Sequence, residues 1–138
     1  MKQRSDFKNQ INLLKLDKLI ADLHLLKGQE FVGLSIKNIL KLRDILNNLQ
    51  HALSILNKYA LLPNTKQEVL VEQCLSIIKF YVEFLAFWNI VPSTAEIVKL
   101  RKSLNNSLNP LGRLYVQVLT LKFLDDSVGE GENEDGES

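Results

Sequence analysis

The stretch Cys74–Val91 reads CLSIIKFYVEFLAFWNIV, and fourteen of its eighteen residues are apolar. Its setting decides the fold, because a membrane span, a core element and an exposed docking face would make three different proteins. On a helix it covers about 27 Å, slightly short of a bilayer core of about 30 Å. Lys79 and Glu83 interrupt it. A charge at mid-membrane costs roughly 2.5–3.5 kcal/mol on insertion scales, which opposes spanning. The two charges are four residues apart, so they share one face and can pair. Glu72 and Ser76 extend the same polar stripe. The rest of the cylinder is apolar, with Leu75, Ile78, Val82 and Leu85 on one seam and Cys74, Ile77, Tyr81, Phe84 and Trp88 beside it. A helix with one narrow polar stripe belongs inside a bundle. The expectation is a central bundle helix and no membrane span.

Working outward, the breakers divide the chain into helices. Pro63, Pro92 and Pro110 each fall where a helix should stop, and Gly28 and Gly33 bracket another break. Between them the apolar residues recur at helical period. Helix 1 is expected from Asp6, a candidate N-cap, to Lys27, with Phe7, Ile11, Leu14, Leu16, Leu19, Ile20, Leu23 and Leu26 on one wide face. Helix 2 is expected from Ser35 to Leu61. Its Ile39, Leu42, Leu46, Leu49, Leu53 and Leu56 form a heptad seam, widened by Ile36, Leu40, Ile45 and Ile55. That width favours a bundle over a two-stranded coil, although the seam could also close a homodimer. Helix 3 is expected from Thr65, with TKQE as a capping box, to just before Pro92. Helix 4 follows from Ser93 or Thr94 to about Leu108, and helix 5 opens at Pro110. The segment LYVQVLTLKFL (114–124) partly alternates like a strand, but a lone strand would have no partner, so helix is preferred.

The fold class expected is therefore all-α: a four- to five-helix bundle over 1–125 with a disordered acidic tail over 126–138. The length of 138 residues fits one domain and is enough to bury a core without cross-links. The tail has too little apolar content to offset the entropy of ordering it. Charge is divided unevenly. Of 16 acids, seven lie at or beyond Asp125, so 17 bases face nine acids in the body, a net of +8. Lys41–Asn48 (KLRDILNN) recurs as Lys99–Asn106 (KLRKSLNN), and Leu53 and Leu56 match Leu111 and Leu114 in the same register. A duplicated helical hairpin and two similar amphipathic helices both account for this echo.

Chemistry is hard to assemble from these residues. His24 and His51 have no metal-ligand spacing with each other or with Cys74. KGQEFVG lacks the phosphate-loop pattern, and no GxSxG elbow occurs. Glu68 and Glu72 are one turn apart, but no ExxH accompanies them, which removes a di-metal bundle site. Cys74 reads as an inert core thiol. No catalytic residue, metal or cofactor is expected. One cysteine excludes an intrachain disulfide and fits a reducing compartment. The start, MKQRSDFKNQINLLKLDKLI, lacks a signal peptide's apolar middle, so the expected location is cytoplasmic or nuclear.

Two surfaces remain. Phe80, Phe84, Phe87 and Trp88 cluster near the end of helix 3. They fill the core or line an apolar groove for a partner helix or extended peptide. Lys37, Lys41, Arg43, Lys99, Arg101, Lys102 and Arg113 would form one basic surface if the two KLR segments face the same way. The leading expectation is a non-enzymatic protein–protein interaction module or complex subunit, with the groove as its site. The alternative is nucleic-acid binding on the basic surface, modulated by the acidic tail. A lipid surface bound by helix 1 is a weaker third, because that helix mixes acids with bases on its polar face.

Overall fold

The computed structural model describes residues 8–9 and 11–120. Asp6, Phe7, Leu121, Leu124 and the acidic tail lie outside the described residues. The chain folds as an all-α bundle, with α1 (Leu16–Lys27), α2 (Ile36–Leu61), α3 (Gln67–Phe87), α4 (Ala95–Ser107) and a further helix, α5, over 109–120. A short helical segment over 11–13 precedes α1. The segment that partly alternates is helical as far as it is described.

Helix 1 is not continuous. The chain breaks at Lys15, whose backbone takes φ 53° and ψ 60°. The apolar pattern explains the break. Leu14 and Leu16 are both buried, yet two steps along a helix turn a side chain by about 200°. One straight helix cannot send both inward. A left-handed residue between them resets the phase, and α1 then buries Leu16, Leu19, Leu23 and Leu26. Such a conformation costs a non-glycine residue roughly 1–2 kcal/mol, which the burial of two leucines offsets.

The helix at the centre is α2, not α3. It packs on α1 and on α3 and buries Leu42, Ile45, Leu46, Leu49, Ala52, Leu53, Leu56 and Ala60. Its heptad seam is thus filled from within the same chain. The predicted widening fails at the first turn, where Ile36 and Leu40 face solvent. Ser35 caps α2 by accepting from Asn38 N at 3.2 Å. Thr94 caps α4 through Ile97 N at 3.2 Å. The Thr65 hydroxyl does not cap α3 as the TKQE pattern predicts. Thr65 instead donates its hydroxyl to the Tyr59 carbonyl at 2.7 Å, which satisfies the end of α2, and α3 begins after Lys66 without a side-chain cap. Gly33, at φ 90°, turns the chain into α2 and lies against Glu96 and Ile97, which sets the starts of α2 and α4 at one end of the bundle.

The two KLR segments share burial. Leu46 and Leu104 are buried at matching positions, as are Leu53 with Leu111 and Leu56 with Leu114. They differ in continuity, since α2 runs on to Leu61 while the second copy breaks at Leu108 and restarts as α5. Among the described residues the core holds no buried polar or charged side chain.

Candidate functional site

The aromatic set divides. Phe84 and Phe87 are fully buried, and Trp88 is 7% exposed. Trp88 meets Phe84 edge-on at 5.8 Å and Phe87 at 5.0 Å, while Tyr81 stacks on Phe84 at 6.3 Å. These are core contacts in geometries that stabilise aromatic pairs. Only Phe80 is half-exposed. As folded, Phe84, Phe87 and Trp88 offer no groove.

The apolar surface lies one flank round the same helix. Leu75, Val82 and Leu85 are 45%, 47% and 44% exposed, with Val71 and Ile78 half-buried between them. At spacings of 4, 3, 4 and 3 they make a stripe about 21 Å long. It lies between the buried face (Leu70, Cys74, Ile77, Phe84) and the polar stripe (Glu72, Lys79, Glu83). Helix α5 bounds it on one side. A Cβ placed on Gly112 would come within 3.8 Å of Tyr81 Oη. Tyr81 is flanked on α3 by Ile78 and Leu85, and Gly112 on α5 by Val116 and Leu119, both exposed. The bare glycine backbone lets α5 pass close to Tyr81. Burial raises the Tyr81 hydroxyl above its ordinary pKa of 10.0. The periodicity placed Leu75, Ile78, Val82 and Leu85 on one seam but could not say which seam faces out.

The basic residues are all exposed but do not act alike. Arg43 lies over the Phe31 ring, 5.5 Å from its centroid, and donates to the Gln29 carbonyl at 3.4 Å, so it ties down the loop before α2. Lys37 and Lys41 lie on α2, and Lys99, Arg101 and Lys102 on α4. Only the Gly33 contact with Glu96 and Ile97 brings the beginnings of those helices together.

Arg113 belongs elsewhere. With Lys15 and Lys18 it lines a cleft of about 430 Å³ between the start of α1 and the α4–α5 junction, completed by Asp22, Asn106 and Asn109. The spacing of residues gave no sign of this cleft, because it depends on the break at Lys15 and on the turn at Leu108. A doublet of apolar residues two apart, Leu14 and Leu16, was the one legible signal.

His24 and His51 are exposed on α1 and α2. Cys74 is buried, and burial pushes its thiol up to about 12. Among the described residues no three His, Cys, Asp or Glu side chains group as a metal site, and no helix is long and apolar enough to cross a membrane. No family model, curated protein or solved structure matches the chain.

Proposed function

We propose that this chain is a non-enzymatic docking module, and that the exposed stripe of α3 and the apolar residues of α5 form a groove that receives an amphipathic helix from a partner protein. The observation that carries this reading is the exposure of Leu75, Val82 and Leu85 beside half-buried Ile78 on one flank of α3, with exposed Val116 and Leu119 on α5, the helix that approaches Tyr81 at Gly112. Contiguous apolar surface, unlike singly scattered apolar residues, marks interaction sites. Its length of about 21 Å suits four turns of a partner helix with apolar residues at i, i+3, i+4 and i+7. Glu72 and Glu83 edge the stripe against one base, Lys79, so a partner with basic flanks is favoured. A reducing compartment, cytoplasm or nucleus, suits the single buried thiol.

The test uses two designed peptides with identical leucine stripes, one flanked by lysine and one by glutamate, titrated into the isotope-labelled chain. The lysine-flanked peptide should shift Leu75, Val82, Leu85 and Val116, and Val82→Glu should remove the response without unfolding the protein. If neither peptide moves those residues, or if the shifts survive Val82→Glu, the groove is not the docking site.

Nucleic-acid binding is the second reading. It rests on the exposure of Lys37, Lys41, Lys99, Arg101 and Lys102 at helices whose beginnings meet. It requires binding to a duplex or single strand that falls steeply with salt. No binding at low salt removes it.

A further inference from the structure

Three cations converge on one cleft, and among the described residues none of their side chains has a partner. Lys15 comes from the break before α1, Lys18 from the first turn of α1, and Arg113 from α5. Lys8, Lys27 and Arg43 are engaged with the Leu62 carbonyl, Asn47 and the Gln29 carbonyl, and what sets Lys15, Lys18 and Arg113 apart from the other unpaired cations is that they line one cleft. The acid closest in sequence does not help, because Asp17 receives the Asn57 amide at 2.7 Å and does not line the cleft. Asp22 is the one carboxylate that lines it, so the cleft keeps a net positive charge. Like charges repel, and gathering them is favourable only when an anion sits between them.

The backbone agrees with the side chains. Lys15 is the only non-glycine with positive φ among the described residues. The Lys15 N–H is itself donated to the Asn12 carbonyl at 3.3 Å, so what the backbone offers here is the first-turn N–H groups of α1. No side chain caps α1 there. Strain held at one residue beside a polar cleft is a recurrent mark of ligand sites.

We infer that this cleft binds a phosphate-bearing small molecule. Lys15, Lys18 and Arg113 hold the phosphoryl group, and Asn106 and Asn109 offer hydrogen bonds to the rest. A volume of about 430 Å³ exceeds what inorganic phosphate fills and lies within the range of small-molecule pockets. Arg113 matches a phosphate's oxygens in two parallel hydrogen bonds, and the two lysines add point charges. The site is separate from the α3–α5 groove, and either can fail without the other.

The experiment titrates the full-length labelled chain with pyrophosphate and with adenosine 5′-monophosphate at low and at physiological salt. Saturable shifts are expected at residues 13–22 and 106–113. Binding should weaken about tenfold or more in Arg113→Gln and in Lys15→Gln/Lys18→Gln, and be unchanged in Lys99→Gln. The absence of saturable shifts at millimolar ligand, or equal binding by the triple variant, overturns the proposal. A full-length chain whose tail acids are replaced by Gln and Asn supplies a second arm. If the cleft shifts on that replacement, and neither phosphate ligand moves it in either chain, its occupant is the chain's own tail and the proposal falls. Tighter binding of a short RNA, with shifts spreading to Lys37 and Lys99, overturns it in favour of nucleic acid.

Discussion

The side-chain amide of Asn57 donates to the carboxylate of Asp17 at 2.7 Å, which fastens the first turn of α1 to the last third of α2. It is one of few polar links across the bundle among the described residues, and Asp17 does not line the cleft of Lys15 and Lys18. Because Asp17 is exposed and Asn57 only half-buried, the bond is worth only about 1 kcal/mol. Asn57→Ala and Asp17→Ala should each lower the urea midpoint by a similar small amount. The double variant should cost little more than either alone, which an additive pair would not show.

Lys15→Gly should stabilise the protein. Glycine adopts the left-handed region without the Cβ clash, so a gain of about 1 kcal/mol is expected in thermal or urea unfolding. The same variant should bind phosphate ligands more weakly, because it removes one of the three cations. A variant that is both more stable and less able to bind marks strain kept for function.

Gly33→Ala should do the reverse. At φ 90° a side chain is strained in itself, and its Cβ would stand 3.4 Å from both Glu96 Cβ and Ile97 Cδ1. A loss of about 1–2 kcal/mol is expected, read from the urea midpoint.

Trp88 carries a buried indole N–H with no acceptor among the described residues. Leaving such a donor unpaired costs about 1–3 kcal/mol. Trp88→Phe removes the donor while it keeps most of the ring contacts, so its cost should stay below about 1 kcal/mol. Phe84→Ala, at a fully buried position, should cost about 3–5 kcal/mol. Equal losses in the two variants would show that the indole is satisfied.

The Cys74 thiol supplies a pH signature. Its ordinary pKa of 9.0 is pushed up to about 12 by burial. The unfolded chain therefore ionises first. The stability tied to the neutral thiol is whole below pH 9, declines as the pH climbs, and is gone above about 12. Cys74→Ala should flatten this alkaline decline in unfolding curves taken between those limits. At pH 8 the native thiol should react with a disulfide reagent only as fast as the protein opens.

Much of the architecture was legible in the residues. Proline and glycine positions gave the helix breaks, and the heptad seam of α2 reports its burial directly, from Leu42 to Leu56. The start of α2 at Ser35 was legible, and of the two candidates Ser93 and Thr94 it is Thr94 that caps α4. The role of Thr65 was not legible, because a hydroxyl beside two helix ends serves whichever backbone group is nearer, and here that is the Tyr59 carbonyl. Position within the bundle was also hidden. The most apolar helix, α3, was expected at the centre, yet α2 holds that place and α3 keeps one apolar flank uncovered. Periodicity reports how wide an apolar face is, not how many neighbours cover it. The cleft was hidden for a related reason. Its cations come from three segments, and only the reversal at Lys15 and the turn at Leu108 bring them together.

Apart from the Cys74 thiol and the Trp88 indole, the interior is hydrocarbon and aromatic, and among the described residues it has no hydrogen-bonded pin to fix one rod against the next. Shape alone sets the register, so exchanges such as Leu for Met or Ile for Leu should pass with small penalties wherever volume is kept. A lineage built this way can rewrite its interior letter by letter while its outline persists. The positions slowest to change would then be those outside the core, around Lys15 and Gly112.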